Sequence, residues 1–308
     1  MELRTALPTA LIVGVILGTS IVALESLTSD EGGPAPIAAL AVAELASVPV
    51  RWDIPVVWNE SVTRFVKLFS GEQSDRMALY LKRSGRYEGM IRSKLRERGM
   101  PEDLLYLSMI ESGFNPNARS RAQAVGLWQF MAGTARDYGL RVDSYVDERR
   151  DPEKSTDAAL RYLQDLHRQF GSWNLAAAAY NTGEVRVSRA MRATTGSQKG
   201  KETDFWRIRR LLPSDTREYV PLIYAAALVG KDPEKYGLGD VERWLPVATD
   251  TVAVAGGTDL EKVAKAVGTT EADLRSLNPQ LLRGMTPPGK PYPVQIPDGS
   301  GAHFALKR

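Results

Sequence analysis

One glutamate, Glu111, lies at the end of the most apolar helix that the sequence predicts. Leu104, Leu107 and Glu111 share one face by helical spacing, and Ser-Gly follows at once, which is typical of a helix end. There the negative end of the helix dipole and partial burial both favour a protonated carboxyl and so raise its pKa. A general acid requires this state, whereas a structural glutamate gains nothing from it. The alternative is a surface glutamate held by an arginine elsewhere in the chain.

Other reactive groups are few. The sequence has no cysteine and only two histidines, His167 and His303, which are far apart in the chain. Disulfides, thiolate nucleophiles and cysteine metal sites are therefore excluded, and neither a His-rich metal site nor a Ser-His-Asp triad is supported. The net charge of +3 arises from interspersed charges, so no nucleic-acid surface is predicted. The chemistry must use carboxylates, hydroxyls and amides.

Polar side chains also occur at three other predicted helix ends. Gln129 lies between two aromatic residues, so its amide needs hydrogen-bond partners if it is buried. Tyr180 and Asn181 follow an alanine-rich helix where that helix stops. Asp215 and Glu218 predict a capping box at the start of a later helix. The three segments are Gly126–Met131, Leu175–Gly183 and Leu212–Pro221.

A cluster of acids offers an alternative source of chemistry. A two-carboxylate hydrolase would recruit one of them as its second acid. We favour a charged turn between helices, in which Asp147 pairs with Arg149 and Asp151 precedes the next helix at Pro152. The acids concerned are Asp143, Asp147, Glu148 and Asp151.

Four motifs follow one another along the chain. They are Glu111–Phe114 (ESGF), Ser120–Met131 (SRAQAVGLWQFM), Ala178–Gly183 (AAYNTG), and Leu212-Pro213 with Tyr219–Pro221. In this order they resemble the lytic transglycosylases of glycoside hydrolase family 23, of the membrane-bound lytic murein transglycosylase D type. The resemblance covers roughly residues 55–230.

This resemblance implies a mainly α fold with a lysozyme-like helical core, as in goose-type lysozymes and soluble lytic transglycosylases. It implies cleavage of the β-1,4 bond between N-acetylmuramic acid and N-acetylglucosamine in peptidoglycan. Glu111 would be the sole acid and base, the substrate's acetamido group would stabilise the developing cation, and attack by the C6 hydroxyl would give a 1,6-anhydro end. No cofactor or metal is implied. A goose-type-lysozyme-like hydrolase and a non-catalytic peptidoglycan-binding scaffold remain alternatives.

The resemblance also implies substrate-binding positions. Ser120 and Tyr219 match family residues near the acetamido group and the catalytic acid. Ser112 would either orient Glu111 or cap the helix end. The full set of matching positions is Ser112, Ser120, Gln129, Tyr180, Asn181 and Tyr219.

Past Asp240 the pattern changes to strand, helix, helix, strand. Gly256–Leu260, Leu277–Pro279 and Ile296–Pro297 resemble parts of a lysin motif, a small βααβ module that binds the glycan of peptidoglycan. The segment is therefore expected to be a lysin-motif-like glycan-binding module, with a purely structural appendage as the alternative. Peptidoglycan glycan strands are the expected partner of the whole chain.

The N-terminus predicts export. Leu7–Leu24 carries no charge, which suits the apolar region of a signal peptide or a marginal membrane anchor, since a span needs ~20 apolar residues. We expect the periplasm or cell envelope as location, with or without anchoring. The predicted division is 1–25 signal peptide or signal anchor, 26–50 Pro/Ala-rich linker, 51–240 lytic transglycosylase catalytic domain, 241–299 lysin-motif-like module and 300–308 tail.

Overall fold

Helices make up nearly all the regular structure before Gly239 in the computed structural model, which describes residues 52–306. The predictions for residues 1–25 and 26–50 lie outside the described residues. No helix between residues 52 and 306 combines the length and the apolar character needed to cross a bilayer. The helices are α1 (Glu60–Ser70), α2 (Ser74–Glu97), α3 (Leu105–Ser112), α4 (Ala132–Asp137), α5 (Pro152–Phe170), α6 (Trp173–Thr182), α7 (Glu184–Thr195), α8 (Asp204–Ile208) and α9 (Ser214–Lys231).

Short side-chain caps set where several of these helices begin. The Asp151 carboxylate accepts from the backbone N–H groups of Glu153 and Lys154, and Pro152 occupies the first turn of α5, where its missing N–H is harmless. The Ser172 hydroxyl caps α6 in the same way. The predicted capping box at Asp215 and Glu218 is wrong. Helix α9 already begins at Ser214, and Glu218 instead pairs with two arginines, Arg64 and Arg209.

Helix α9 is the centre of the helical core. It packs against α1, α3 and α6, and all but its first turns are buried. The four alanines of α6, Ala176–Ala179, are buried as well. Their small side chains let the backbones of neighbouring helices approach closely, which brings the ends of α3, α6 and α9 into one region.

The C-terminal residues form a second, smaller unit, as the strand-helix-helix-strand pattern predicts. Strands β1 (Thr249–Val254) and β2 (Tyr292–Pro297) pair antiparallel, with Thr249 opposite Pro297. Helices α10 (Leu260–Val267) and α11 (Glu271–Leu277) lie between them in the chain. The segment that we expected to be a tail contains a further helix, α12 (Gly301–Leu306), which packs against β1 and α10. The unit thus extends beyond residue 299.

Residues 241–248 run alongside the helical core before the sheet begins. The Trp244 N–H donates to the Lys82 carbonyl at 2.8 Å, and the Arg86 guanidinium lies 4.7 Å above the Trp244 ring. A groove of about 680 Å³ lies where α2 and the start of α5 face the C-terminal unit, with Arg86, Lys154 and Gln295 among its lining residues. Glu111 is not among them.

Candidate active site

Glu111 is enclosed at the end of α3. Only 5% of the residue is exposed, and the Tyr219 hydroxyl on α9 donates to Glu111 Oε1 at 2.5 Å. Burial raises the pKa of Glu111 to about 8, and the hydrogen bond from Tyr219 acts in the opposite direction. Burial also raises the pKa of Tyr219 well above 10, so its hydroxyl remains a donor at neutral pH. The direction of this shift agrees with the sequence prediction, and burial is its cause.

The end of α3 depends on a glycine. Gly113 has φ +57°, and its N–H donates to the Met109 carbonyl to close the helix. A β-carbon at this position would lie 2.1 Å from a carbon of the Tyr80 ring. Any other residue would therefore meet both backbone strain and a clash directly beside Glu111.

Residues 118–130, which we call the substrate hairpin, double back beside α3. Backbone bridges join Arg119 to Val125 and Val125 to Phe130. Ser120 Oγ accepts from the Ala124 N–H at 3.0 Å, and Gln129 Nε2 donates to the Gly126 carbonyl at 2.9 Å. The buried Gln129 amide thus finds the partners that the sequence requires, and these are backbone groups of the hairpin itself.

Ser112 connects the hairpin to the Glu111 helix. Its hydroxyl lies 2.8 Å from the Leu127 carbonyl, and the Ser108 hydroxyl donates to the same carbonyl at 3.2 Å. The Asn115 N–H donates to Ser112 Oγ. Of the two roles expected for Ser112, these contacts favour holding the local backbone over orienting the Glu111 carboxyl.

Tyr180 and Asn181 reach the same region from the end of α6. The Tyr180 hydroxyl donates to the Trp128 carbonyl at 2.7 Å, and its ring lies edge-on to that of Phe130. The Thr216 hydroxyl on α9 donates to Asn181 Oδ1 at 2.8 Å. Asn181 Nδ2 is buried and has no hydrogen-bond partner among the described residues. A buried donor without a partner is uncommon in proteins.

The structure therefore joins the four motifs around Glu111. Tyr219 contacts the carboxyl directly, while the other predicted residues hold the hairpin or line its surroundings. Two residues that sequence reasoning did not single out also belong here. Thr216 orients Asn181, and Arg149 donates from Nη1 to the Gln123 and Phe130 carbonyls of the hairpin at 3.1 and 3.0 Å. Sequence spacing does not predict the role of either residue, because each bonds residues that are distant in the sequence.

The acids of residues 143–151 all have structural partners, as expected for a charged turn. The buried Asp147 carboxylate binds Arg149 through both oxygens at 2.8 Å, which confirms the predicted pair. Glu148 accepts from the Arg141 N–H and pairs with Lys154. Asp143 binds two backbone N–H groups of its own turn, and Asp151 caps α5. Between residues 52 and 306, no group of three or more His, Asp or Glu side chains is arranged to hold a metal ion.

Two family models match the chain. The transglycosylase SLT domain matches residues 89–203, and the LysM-like domain of lytic transglycosylase MltD matches residues 248–307. These matches confirm the resemblance in both parts of the chain, and they confirm a mainly helical core followed by a small βααβ module.

Similar proteins carry corresponding names. Membrane-bound lytic murein transglycosylase D of Escherichia coli K12 is 36% identical over 217 residues, which is 68% of this chain and 46% of that protein. The chain thus spans about half the length of this relative. Soluble lytic murein transglycosylase of Salmonella typhimurium is 34% identical over 121 residues, or 37% of this chain and 18% of that one. The crystal structure of the 70 kDa soluble lytic transglycosylase of Escherichia coli superposes with a TM-score of 0.41 at 23% identity, covering 59% of this chain and 29% of that one.

Proposed function

We propose that this protein is a peptidoglycan lytic transglycosylase, because residues 89–203 match the transglycosylase SLT domain and residues 248–307 match the MltD LysM-like domain. Its reaction would cleave the β-1,4 bond between N-acetylmuramic acid and N-acetylglucosamine and leave a 1,6-anhydro-N-acetylmuramic acid end. Relatives named as murein transglycosylases support this substrate class.

The single observation that carries the proposal is the state of Glu111. A carboxyl with a pKa of about 8 is largely protonated at neutral pH, so it can donate a proton to the leaving glycosidic oxygen. The acetamido group of the muramic acid residue stabilises the positive charge at the anomeric carbon. Glu111, now ionised, accepts the proton of the C6 hydroxyl as its oxygen bonds to that carbon. The carboxyl ends the cycle protonated, as it began.

Tyr219 assists the first half of this cycle. Its hydroxyl donates to Glu111 Oε1, which stabilises the carboxylate formed after proton transfer without protonating it. One oxygen is thereby occupied, and the other remains for the substrate. The enclosed position of the pair limits access of water, which favours the C6 hydroxyl over water as the attacking group.

The remaining predicted residues have graded roles in this proposal. Asn181 Nδ2 is the donor best suited to a sugar acceptor, because it lacks a partner and Thr216 fixes the amide plane. Tyr180, Ser120, Gln129 and Ser112 act mainly by shaping the hairpin and the walls beside Glu111, since their polar groups bond the backbone.

We propose that the protein acts in the cell envelope, where peptidoglycan is found, and that residues 1–25 direct export, as a cleaved signal peptide or an uncleaved anchor. The name of the membrane-bound relative supports the envelope assignment. The C-terminal module is proposed to contact the glycan strand that the core cleaves. No cofactor takes part in the proposed reaction.

Digestion of purified peptidoglycan tests the proposal. Wild-type chain, Glu111→Gln and the control Glu97→Gln, in an exposed acid at the end of α2, are incubated with sacculi, and the soluble products are weighed by mass spectrometry. We expect muropeptides lighter by one water than their reducing counterparts from the wild type and from Glu97→Gln, and none from Glu111→Gln. Reducing ends would instead indicate a hydrolase, and equal activity of wild type and Glu111→Gln would refute the role of Glu111.

A further inference from the structure

The C-terminal module contacts the helical core through residues 143–148, which we call the docking segment. Val146 and Leu281 form an antiparallel bridge. The Asp147 N–H donates to the Gln280 carbonyl at 2.9 Å, and the Leu282 N–H donates to the Tyr145 carbonyl at 3.0 Å. Backbone hydrogen bonds of this kind fix the register of the two segments.

Side chains strengthen this junction. Val146 is fully buried among the apolar residues of the module, so a residue of the catalytic core completes the module's own hydrophobic cluster. The Tyr292 hydroxyl donates to Glu148 Oε1 at 3.3 Å, and the Arg283 guanidinium donates to the Ser144 carbonyl. The module is therefore held against the core by apolar and polar contacts together.

The docking segment leads directly to the substrate hairpin. Arg149 Nε and Nη2 bond the two oxygens of Asp147 in a bidentate pair, and both side chains are about 8% exposed. This arrangement fixes the guanidinium plane. The remaining nitrogen, Nη1, points to the hairpin, where it holds the Gln123 and Phe130 carbonyls.

These carbonyls belong to the strained part of the hairpin. Gln123 and Gln129 have φ of +69° and +48°, a left-handed conformation that side chains other than glycine adopt at a cost. Such residues persist when their surroundings over-determine them. Arg149 binds the carbonyl of Gln123 and that of Phe130, the residue after Gln129. It therefore restrains the hairpin at both strained positions.

We propose that Arg149 is a positioning residue for substrate binding and that the docked module determines the orientation of its side chain. The module fixes the Asp147 backbone, Asp147 orients Arg149, and Arg149 holds the hairpin beside Glu111. The module thus acts on the catalytic site through the protein, in addition to any contact of its own with glycan. This inference rests on the proposed function.

Arg149→Lys in the full chain tests whether Arg149 holds the hairpin in place for substrate binding. Lysine keeps the charge beside Asp147, but a single ammonium does not bond both carboxylate oxygens and two carbonyls. We expect KM for soluble glycan strands to rise about tenfold, the equivalent of one lost hydrogen bond. We expect kcat and the alkaline limb of the kcat–pH profile to change little, because α3 and Tyr219, and not Arg149, enclose Glu111. A lower kcat at unchanged KM would indicate only a loss of folded protein and would overturn the inference.

Val146→Asp tests the role of the module, because it puts a charge into the docking contact. We expect the same rise in KM and faster hydrogen exchange at the N–H groups of Val125 and Phe130. Each of these groups donates to the carbonyl of the other residue across the hairpin. Lys265→Ala, an exposed change on α10, is the control and should alter neither.

The two readouts separate failure of the inference from failure of the proposed function. Hydrogen exchange requires no activity, so a hairpin that exchanges at the wild-type rate in both variants overturns the inference. A wild-type chain without activity on peptidoglycan overturns the proposed function instead. An effect of Arg149→Lys without one of Val146→Asp would overturn the part assigned to the module.

Discussion

Glu111 and Asp147 are both buried carboxylates of the catalytic core, with 5% and 6% of each residue exposed, yet their surroundings differ. Asp147 faces a guanidinium that binds both of its oxygens, whereas Glu111 receives one neutral phenol. At Glu111, desolvation outweighs the hydrogen bond from Tyr219 and raises the carboxyl pKa to about 8. The two sites therefore differ in the partner of the carboxyl and not in burial, and the neutral partner of Glu111 suits the acid of the proposed reaction.

The neighbours of Asp147 extend the contrast. Glu148 lies against Lys154 and the Tyr292 hydroxyl, and Asp151 caps a helix. Each acid of residues 143–151 thus has donors that fix the backbone or the module. In residues 143–151, ion pairs and helix caps stabilise the fold. At Glu111, burial instead favours the protonated carboxyl that the proposed reaction requires.

The largest expected effect is on stability at Asp147. Asp147→Ala leaves Arg149 buried without its partner, so we expect the free energy of unfolding to fall by about 3–5 kcal/mol. Urea unfolding at pH 7 measures this. The control Asp143→Asn, in an exposed acid of the same turn whose amide oxygen can still accept from backbone N–H groups, should lose about 1 kcal/mol or less. Equal losses in the two variants would break the comparison.

Glu111→Gln should raise the free energy of unfolding, in contrast to Asp147→Ala. The folded protein binds a proton at Glu111 up to pH about 8, while the unfolded chain releases it near 4.5. Stability is therefore lost as pH rises between these values, because the folded state binds more protons there. We expect the variant to gain on the order of 3 kcal/mol at pH 7 and little at pH 4. Unfolding curves at both pH values check this, and a variant less stable than wild type at pH 7 would contradict it.

Tyr219→Phe should give an intermediate effect. It removes the hydrogen bond that stabilises the Glu111 carboxylate, so kcat should fall about tenfold. The same bond lowers the pKa of Glu111, so its loss should shift the alkaline limb of the kcat–pH profile upward. Tyr224→Phe is the control, because its buried phenol bonds Asn174 and not Glu111. A limb that moves to lower pH would show that Tyr219 acts otherwise.

Thr216→Val should give the smallest effect. It removes the hydroxyl that orients Asn181, so we expect KM for glycan strands to rise by about three- to tenfold at nearly constant kcat. Thr216→Ser keeps the hydroxyl and should restore the wild-type KM. If both variants behave alike, Asn181 is oriented by packing and not by this hydrogen bond.

The sequence predicts local features of this protein well. The C-terminal glutamate of α3, the start of α5 at Pro152 and the βααβ order of the module all follow from spacing and capping residues. The failures concern long-range partners. The spacing of Glu218 from Asp215 fits a capping box. The ion pair of Glu218 with Arg64 joins residues that are distant in the sequence, so local spacing does not predict it. Arg149 looked like one residue of a charged turn, and only the folded chain shows its contacts with the hairpin.

The bridge between Val146 and Leu281 has a consequence for biosynthesis. Tyr292 and Glu148, which meet at this junction, are 144 positions apart in the chain. A growing polypeptide folds its earlier part first, so the catalytic helices form while the module is still unmade. Loop-closure entropy grows slowly with length, so late docking is only weakly penalised. Val146 therefore remains uncovered until the module that follows it in the chain has been synthesised.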